Sequence, residues 1–169
     1  MKRLLTITLF FYCMVSPAQE LPIEDVRMLY QQAAVEKTAC EKLINYLSPA
    51  EVETNPLLFG YKGSATMMMA QFVSNPFSKL SNFYKGKNML DEAIQVDQEN
   101  MELRFLRFAA QTEAPAMLGY RGEIEQDKKL ILNSLPTSND EALQQLIIGY
   151  LVKSEFLDKQ EKEKLTVKV

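Results

Sequence analysis

Apolar residues recur at three- and four-residue spacing along most of this chain, and Asn, Ser and Pro interrupt them at intervals. That pattern restricts the chain to amphipathic helices joined by tight turns. Over 23–47 the set Val26, Leu29, Tyr30, Ala33, Ala34, Cys40, Leu43, Ile44 and Leu47 stays on one face, which predicts a long first helix. Ser48-Pro49-Ala50-Glu51 reads as a capping box with Pro at the first helical position, opening a short turn. Asn55-Pro56 starts a segment that runs to Val73, and Asn75-Pro76 closes it and caps a third, 77–97, with a kink expected at Gly86. Asn100 caps a fourth, from Met101 to Thr112. A fifth, 123–135, turns Ile124, Ile131 and Leu135 inward and spaces Glu125 to pair with Lys129. Ser138-Asn139-Asp140-Glu141 is a second capping box, before a sixth helix built on Leu143, Leu146, Ile147, Tyr150 and Leu151. Ser154 is expected to open a last short helix holding Phe156, Leu157 and Leu165, and 166–169 to fray.

No stretch alternates with the period of a strand, and no Asn-Gly hairpin signal occurs. The expected class is all-α, with antiparallel helical hairpins arranged either as a closed bundle or as an open stack of about six helices.

The first residues carry a separate signal. Lys2 and Arg3 precede an apolar run from Leu4 to Val15, and Ser16-Pro17-Ala18 supplies small residues at the cut positions of a secretory signal peptide. The organisation expected is a signal peptide over 1–18 and a single helical domain over 19–169, working in the periplasm or outside the cell. The apolar run is well short of the roughly 20 residues that span a bilayer, so no integral membrane insertion is expected after cleavage. Cys13 is preceded by the bulky Phe11-Tyr12, which suits a lipid-modified cysteine poorly.

Composition excludes several chemistries. The chain has no histidine, which removes Ser/His and Cys/His nucleophilic systems and imidazole metal sites. Loss of Lys2 and Arg3 with the signal leaves 17 basic residues of 19 against 22 acidic ones, a net charge of −5 that argues against nucleic acid as a partner. Cys40 is then the one cysteine, and its place on the apolar side of the first helix reads as core. No catalytic residue, metal site or cofactor motif is assigned.

The stretch Leu90-Asp91-Glu92-Ala93-Ile94-Gln95-Val96-Asp97-Gln98-Glu99-Asn100 resembles the second helix of a tetratricopeptide unit and the turn that follows it. It departs from that pattern in lacking Pro in the turn, a Trp-x-x-Leu-Gly opening and a regular 34-residue period. Together with the signal peptide, the blocks Asn75-Pro76-Phe77-Ser78-Lys79-Leu80, Leu103-Arg104-Phe105-Leu106-Arg107-Phe108 and Leu118-Gly119-Tyr120 resemble an uncharacterised group of small secreted helical proteins from Gram-negative bacteria. The resemblance implies a tetratricopeptide-like helical stack and assigns no activity.

The fourth segment holds the main candidate site. Met101, Phe105, Phe108 and Ala109 cover one side of it, Leu103, Leu106 and Ala110 much of the other, and Arg104, Arg107 and Gln111 share one narrow polar strip. Arginines on a helix otherwise buried must pair with internal acids, of which Asp91, Glu123 and Asp127 are available, or face a groove that a partner's carboxylate or carbonyls enter. The partner-binding set expected is Arg104, Arg107, Gln111, Tyr61 and Tyr84, holding a protein or peptide segment. Met67-Met68-Met69 with Met89, Met101 and Met117 supports an alternative, an adaptable apolar surface for a lipid or partner helix, with Met67 the exposed member of the triplet. The function expected is that of an interaction protein. The alternatives are a carrier of a small apolar ligand and, with least support, a carboxylate-dependent enzyme.

Overall fold

The computed structural model describes residues 22–166, so the expected signal segment and the last three residues lie outside the described part. Among the described residues there are eight α-helices and no strand. They are α1 (Ile23–Ala33), α2 (Lys37–Tyr46), α3 (Pro56–Phe72), α4 (Pro76–Val96), α5 (Met101–Glu113), α6 (Ile124–Ser134), α7 (Glu141–Leu151) and α8 (Lys159–Thr166), with short 3-10 turns over Ala50–Thr54, Ala116–Leu118 and Leu135–Thr137. α1 and α2, α3 and α4, and α5 and α6 pair as hairpins, and the hairpins stack: α3 packs against α1, α2, α4 and α5, and α5 packs against α3, α4 and α6.

Asparagine sets three of the helix starts. The side-chain oxygens of Asn55, Asn75 and Asn100 accept from the first free backbone N–H groups of α3, α4 and α5, and Pro56 and Pro76 fill first-turn positions where no N–H is needed. Other starts differ from expectation. Ser48 does not cap; its hydroxyl donates back to the Ile44 carbonyl. Asp140, two residues after Ser138, is the cap of α7 and accepts from Leu143 N at 2.9 Å. The last helix opens at Lys159 rather than near Ser154, because Asp158 and Glu161 exchange backbone N–H bonds at 2.8 Å in a reciprocal capping box.

The long first helix is two. Ala33 and Cys40 lie seven residues apart and both are buried, so the apolar face runs in phase across the break. Between them the chain turns, the N–H groups of Val35 and Glu36 bonding to the Gln32 carbonyl, and Val35 is left 84% exposed. With this break, the six long segments and the last short helix expected from the sequence become the eight described helices.

At Gly86, where a kink is expected, α4 passes close to α3. α4 continues through that residue, and a Cβ placed on Gly86 would lie 2.3 Å from the Gly63 carbonyl oxygen of α3, while one on Gly63 would lie 2.7 Å from that of Gly86. The two glycines let the backbones of α3 and α4 touch. The core built around this contact centres on Tyr61, Leu90, Leu103, Phe105, Leu106 and Phe108, with Leu43 and Leu47 from α2, Ile131 from α6 and Ile147 and Leu151 from α7. Burial of α5 on nearly all sides follows from its apolar circumference.

Candidate functional site

α5 presents its polar atoms in two opposite directions. On one side Arg104 and Arg107 converge on Asp127 of α6, which is fully buried. Arg107 binds it with Nε to Oδ2 and Nη2 to Oδ1, both 2.7 Å, and Arg104 Nη1 donates to Oδ1 at 2.9 Å while its Nε donates to the Gln98 carbonyl at 2.7 Å. Gln111, one turn on, donates to Glu123 Oε2 at 2.7 Å. Asp91 lies 3.9 Å from Arg107 Nη1, takes a 2.8 Å bond from Lys87 and accepts from the Tyr120 hydroxyl at 3.1 Å. Burial works against the charge on Arg107, and the Asp127 bonds outweigh it, so its guanidinium is held above the ordinary arginine value. Burial, with the Asp91 charge behind it, pushes the Tyr120 hydroxyl far up. Glu125, expected to pair with Lys129, pairs instead with Lys128 at 3.0 Å.

These residues border a cleft of about 530 Å³, which Lys87, Asp91, Gln95, Gln98, Arg104, Arg107 and Tyr120 line. Its cations are already matched, Lys87 by Asp91 and both arginines by Asp127.

The other polar side of α5 is Glu102, a residue outside the expected binding set. It is buried, and Arg27 of α1 binds it with Nε to Oε1 and Nη2 to Oε2, each 2.7 Å, while the Tyr61 hydroxyl donates to Oε1. Arg27 Nη2 also reaches Asp140 Oδ2 at 2.8 Å, so α1, α3, α5 and the cap of α7 meet at one cluster. The Glu102 hydrogen bonds hold Arg27 charged, and burial, with the adjacent Glu102 charge, holds the Tyr61 hydroxyl protonated. The available signal was Arg27 itself, a cation between Val26 and Tyr30 on the apolar face of α1.

The five residues expected to act together are therefore separated. Arg104, Arg107 and Gln111 share the acidic side of α6. Tyr61 is fully buried on the Glu102 side. Tyr84 is 47% exposed on the outside of α4, edge-on to Phe83. Cys40 is core as expected: its thiol donates to the Ala65 carbonyl at 3.2 Å, and burial pushes it up to about 11.

A larger hollow, about 740 Å³, lies elsewhere and is mainly apolar. Every odd-numbered helix contributes to it: Tyr30 from α1, with Ala34 just after it, Ser64, Met67 and Met68 from α3, Ala109 and Ala110 from α5, and Tyr150 from α7. Leu80 and Phe83 of α4 and the 114–118 segment close its sides. The hollow exists because Ser64, Ala109, Ala110 and Ala114 are small where neighbouring helices carry Met, Phe and Tyr. Tyr150 is fixed against it, its hydroxyl 2.7 Å from Thr112 Oγ1 and donating to Glu113 Oε1 at 3.0 Å, its ring edge-on to Phe105 and Phe108. Three large apolar side chains stand exposed along the edge: Val35 at 84%, Leu80 at 44% and Met117 at 91%. Met67, expected to be the exposed member of its triplet, is buried and lines this hollow beside Met68.

Among the described residues no group of His, Cys, Asp and Glu is arranged to hold a metal ion, and no helix is long and apolar enough to cross a membrane. Comparison with protein-family models, with curated proteins and with solved structures finds no match.

Proposed function

We propose that the protein is an interaction protein of the periplasm or the extracellular space, built on a tetratricopeptide-like helical stack, whose apolar groove receives a segment of another protein. The groove between α1, α3, α5 and α7 carries this reading. α1, α3, α4, α5 and α7 all line it, its walls are adaptable Met and rigid aromatic side chains, and exposed Val35, Leu80 and Met117 ring it. An apolar patch of this kind on a water-facing surface marks an interaction site, and Met-rich walls suit a helix whose anchors must be accommodated. The basic, small-residue pattern of residues 1–18 supports the location.

The pairing of Arg104 and Arg107 with Asp127 favours the apolar groove over the arginine strip as the docking surface. A partner carboxylate would have to displace a buried, fourfold hydrogen-bonded neighbourhood to reach either guanidinium. The deeply placed acids Glu102 and Asp127 are both taken up by arginine, which supports binding rather than catalysis.

Affinity capture from the native host tests the reading, comparing the wild-type chain with Met117→Lys, whose substitution falls on an exposed side chain and should not disturb folding. A protein retained by the first and lost by the second supports the groove. Equal capture by both moves the docking surface elsewhere.

A second reading has its own support. The groove volume of about 740 Å³ falls within the roughly 300–1,000 Å³ typical of small-ligand sites. A bound apolar molecule would then appear as added mass in native mass spectrometry of gently purified protein.

A further inference from the structure

Phe77, Leu80 and Tyr84 lie at i, i+3 and i+7 on α4, and all three are exposed, Phe77 at 83%. That spacing places them on one face, and it is the anchor pattern by which an amphipathic helix enters a hydrophobic groove. Leu80 belongs both to this stripe and to the wall of the apolar groove. The chain thus carries an insert and a receptor on one continuous surface. A two-fold contact between identical copies needs this arrangement, because each copy must offer the same patch as both donor and acceptor.

The charges on the groove wall agree. Among the described residues Lys79, beside Leu80, has no ion-pair partner, and Glu113 on the α5 side is opposed by no cation and accepts from the Tyr150 hydroxyl. Lys79 of one copy and Glu113 of a second would face one another twice across a two-fold axis, giving opposite-charge pairs in place of a like-charge clash between the two lysines.

From this we propose that a second copy of the chain covers the groove, with Phe77 of each copy inserted into the groove of the other and Lys79 paired to the other copy's Glu113. The inference rests on the groove being a docking site and names what occupies it.

Sedimentation equilibrium of the purified protein over a wide concentration range tests it. The expected result is an average mass that climbs toward that of two chains. Phe77→Asp, whose side chain lies outside the core, should weaken association at least about tenfold, as loss of a central aromatic anchor does. Lys79→Glu should weaken it, and Lys79→Glu combined with Glu113→Lys should restore it, a rescue that altered folding would not produce. A monomer at every concentration, or association indifferent to Phe77→Asp, overturns the proposal. If the chain is monomeric while Met117→Lys still abolishes capture of a host protein, the second copy is excluded and the groove stands. If neither association nor groove-dependent capture occurs, both readings fall.

Discussion

Arg107 grips Asp127 with two parallel hydrogen bonds of 2.7 Å, and the acid is fully buried between α5 and α6. Arg104 binds the same carboxylate, so one acid compensates two guanidinium groups that the rest of the helix keeps from water. Asp127→Ala should therefore lower the unfolding free energy by about 3–5 kcal/mol, the usual cost of leaving a buried charge without its partner. Urea unfolding followed by circular dichroism measures it, and a loss below about 1 kcal/mol would place the pair in the class of solvated surface bridges.

Tyr61→Phe isolates a second buried link. The substitution keeps the edge-on ring contact with Tyr30 and removes only the hydroxyl that donates to Glu102. The expected cost is about 1.5–3 kcal/mol, the range for a hydrogen bond to a charged group. The urea midpoint should fall while the slope of the transition stays unchanged.

The helix starts that combine Asn with Pro or with a following apolar run were legible because the cap and the first turn are local chemistry, as at Asn55, Asn75 and Asn100. The break between α1 and α2 was not, because Ala34-Val35-Glu36 contains neither Gly nor Pro and the apolar face continues in phase on both sides. The partners of the arginine strip could be named, since Asp91, Glu123 and Asp127 were the nearby acids. Glu102 escaped notice because its partner, Arg27, lies 75 residues away. The apolar groove is assembled from α1, α3, α4, α5 and α7 and depends on small residues in separate helices facing one another, so no local pattern announces it.

The α3–α4 crossing should reverse the usual effect of Gly→Ala in a helix. Alanine normally gains up to about 1 kcal/mol over glycine at a helical position. At Gly86 the added carbon would meet the Gly63 carbonyl oxygen at 2.3 Å and Met67 N at 2.6 Å, both backbone atoms that cannot swing aside. Gly86→Ala should thus destabilise by about 1–3 kcal/mol or more. Gly149→Ala, where nothing lies within 4 Å, should be neutral or stabilising, and thermal melts of the two variants compare them directly.

Asp140 gives the fold an acid-sensitive tie. The backbone N–H of Leu143 and then Arg27 hold its carboxyl below its ordinary value of 3.8. A carboxyl lowered on folding contributes stability that is complete above the ordinary value and is lost as the pH falls through the folded one. Asp140→Asn keeps a capping side chain and removes the charge. The wild type should exceed this variant in stability at about pH 6 and converge with it at about pH 2. A gap of equal size at both would show that the charge contributes nothing.

Photocrosslinking in living host cells tests the docking groove most directly, with a photoreactive residue replacing Met117 at the groove edge or, as a control, Lys129 on the exposed side of α6. The account predicts a discrete crosslinked product, with one defined protein or a second copy of the chain, from position 117 and none from position 129. No product at 117, or the same products from both positions, would contradict it.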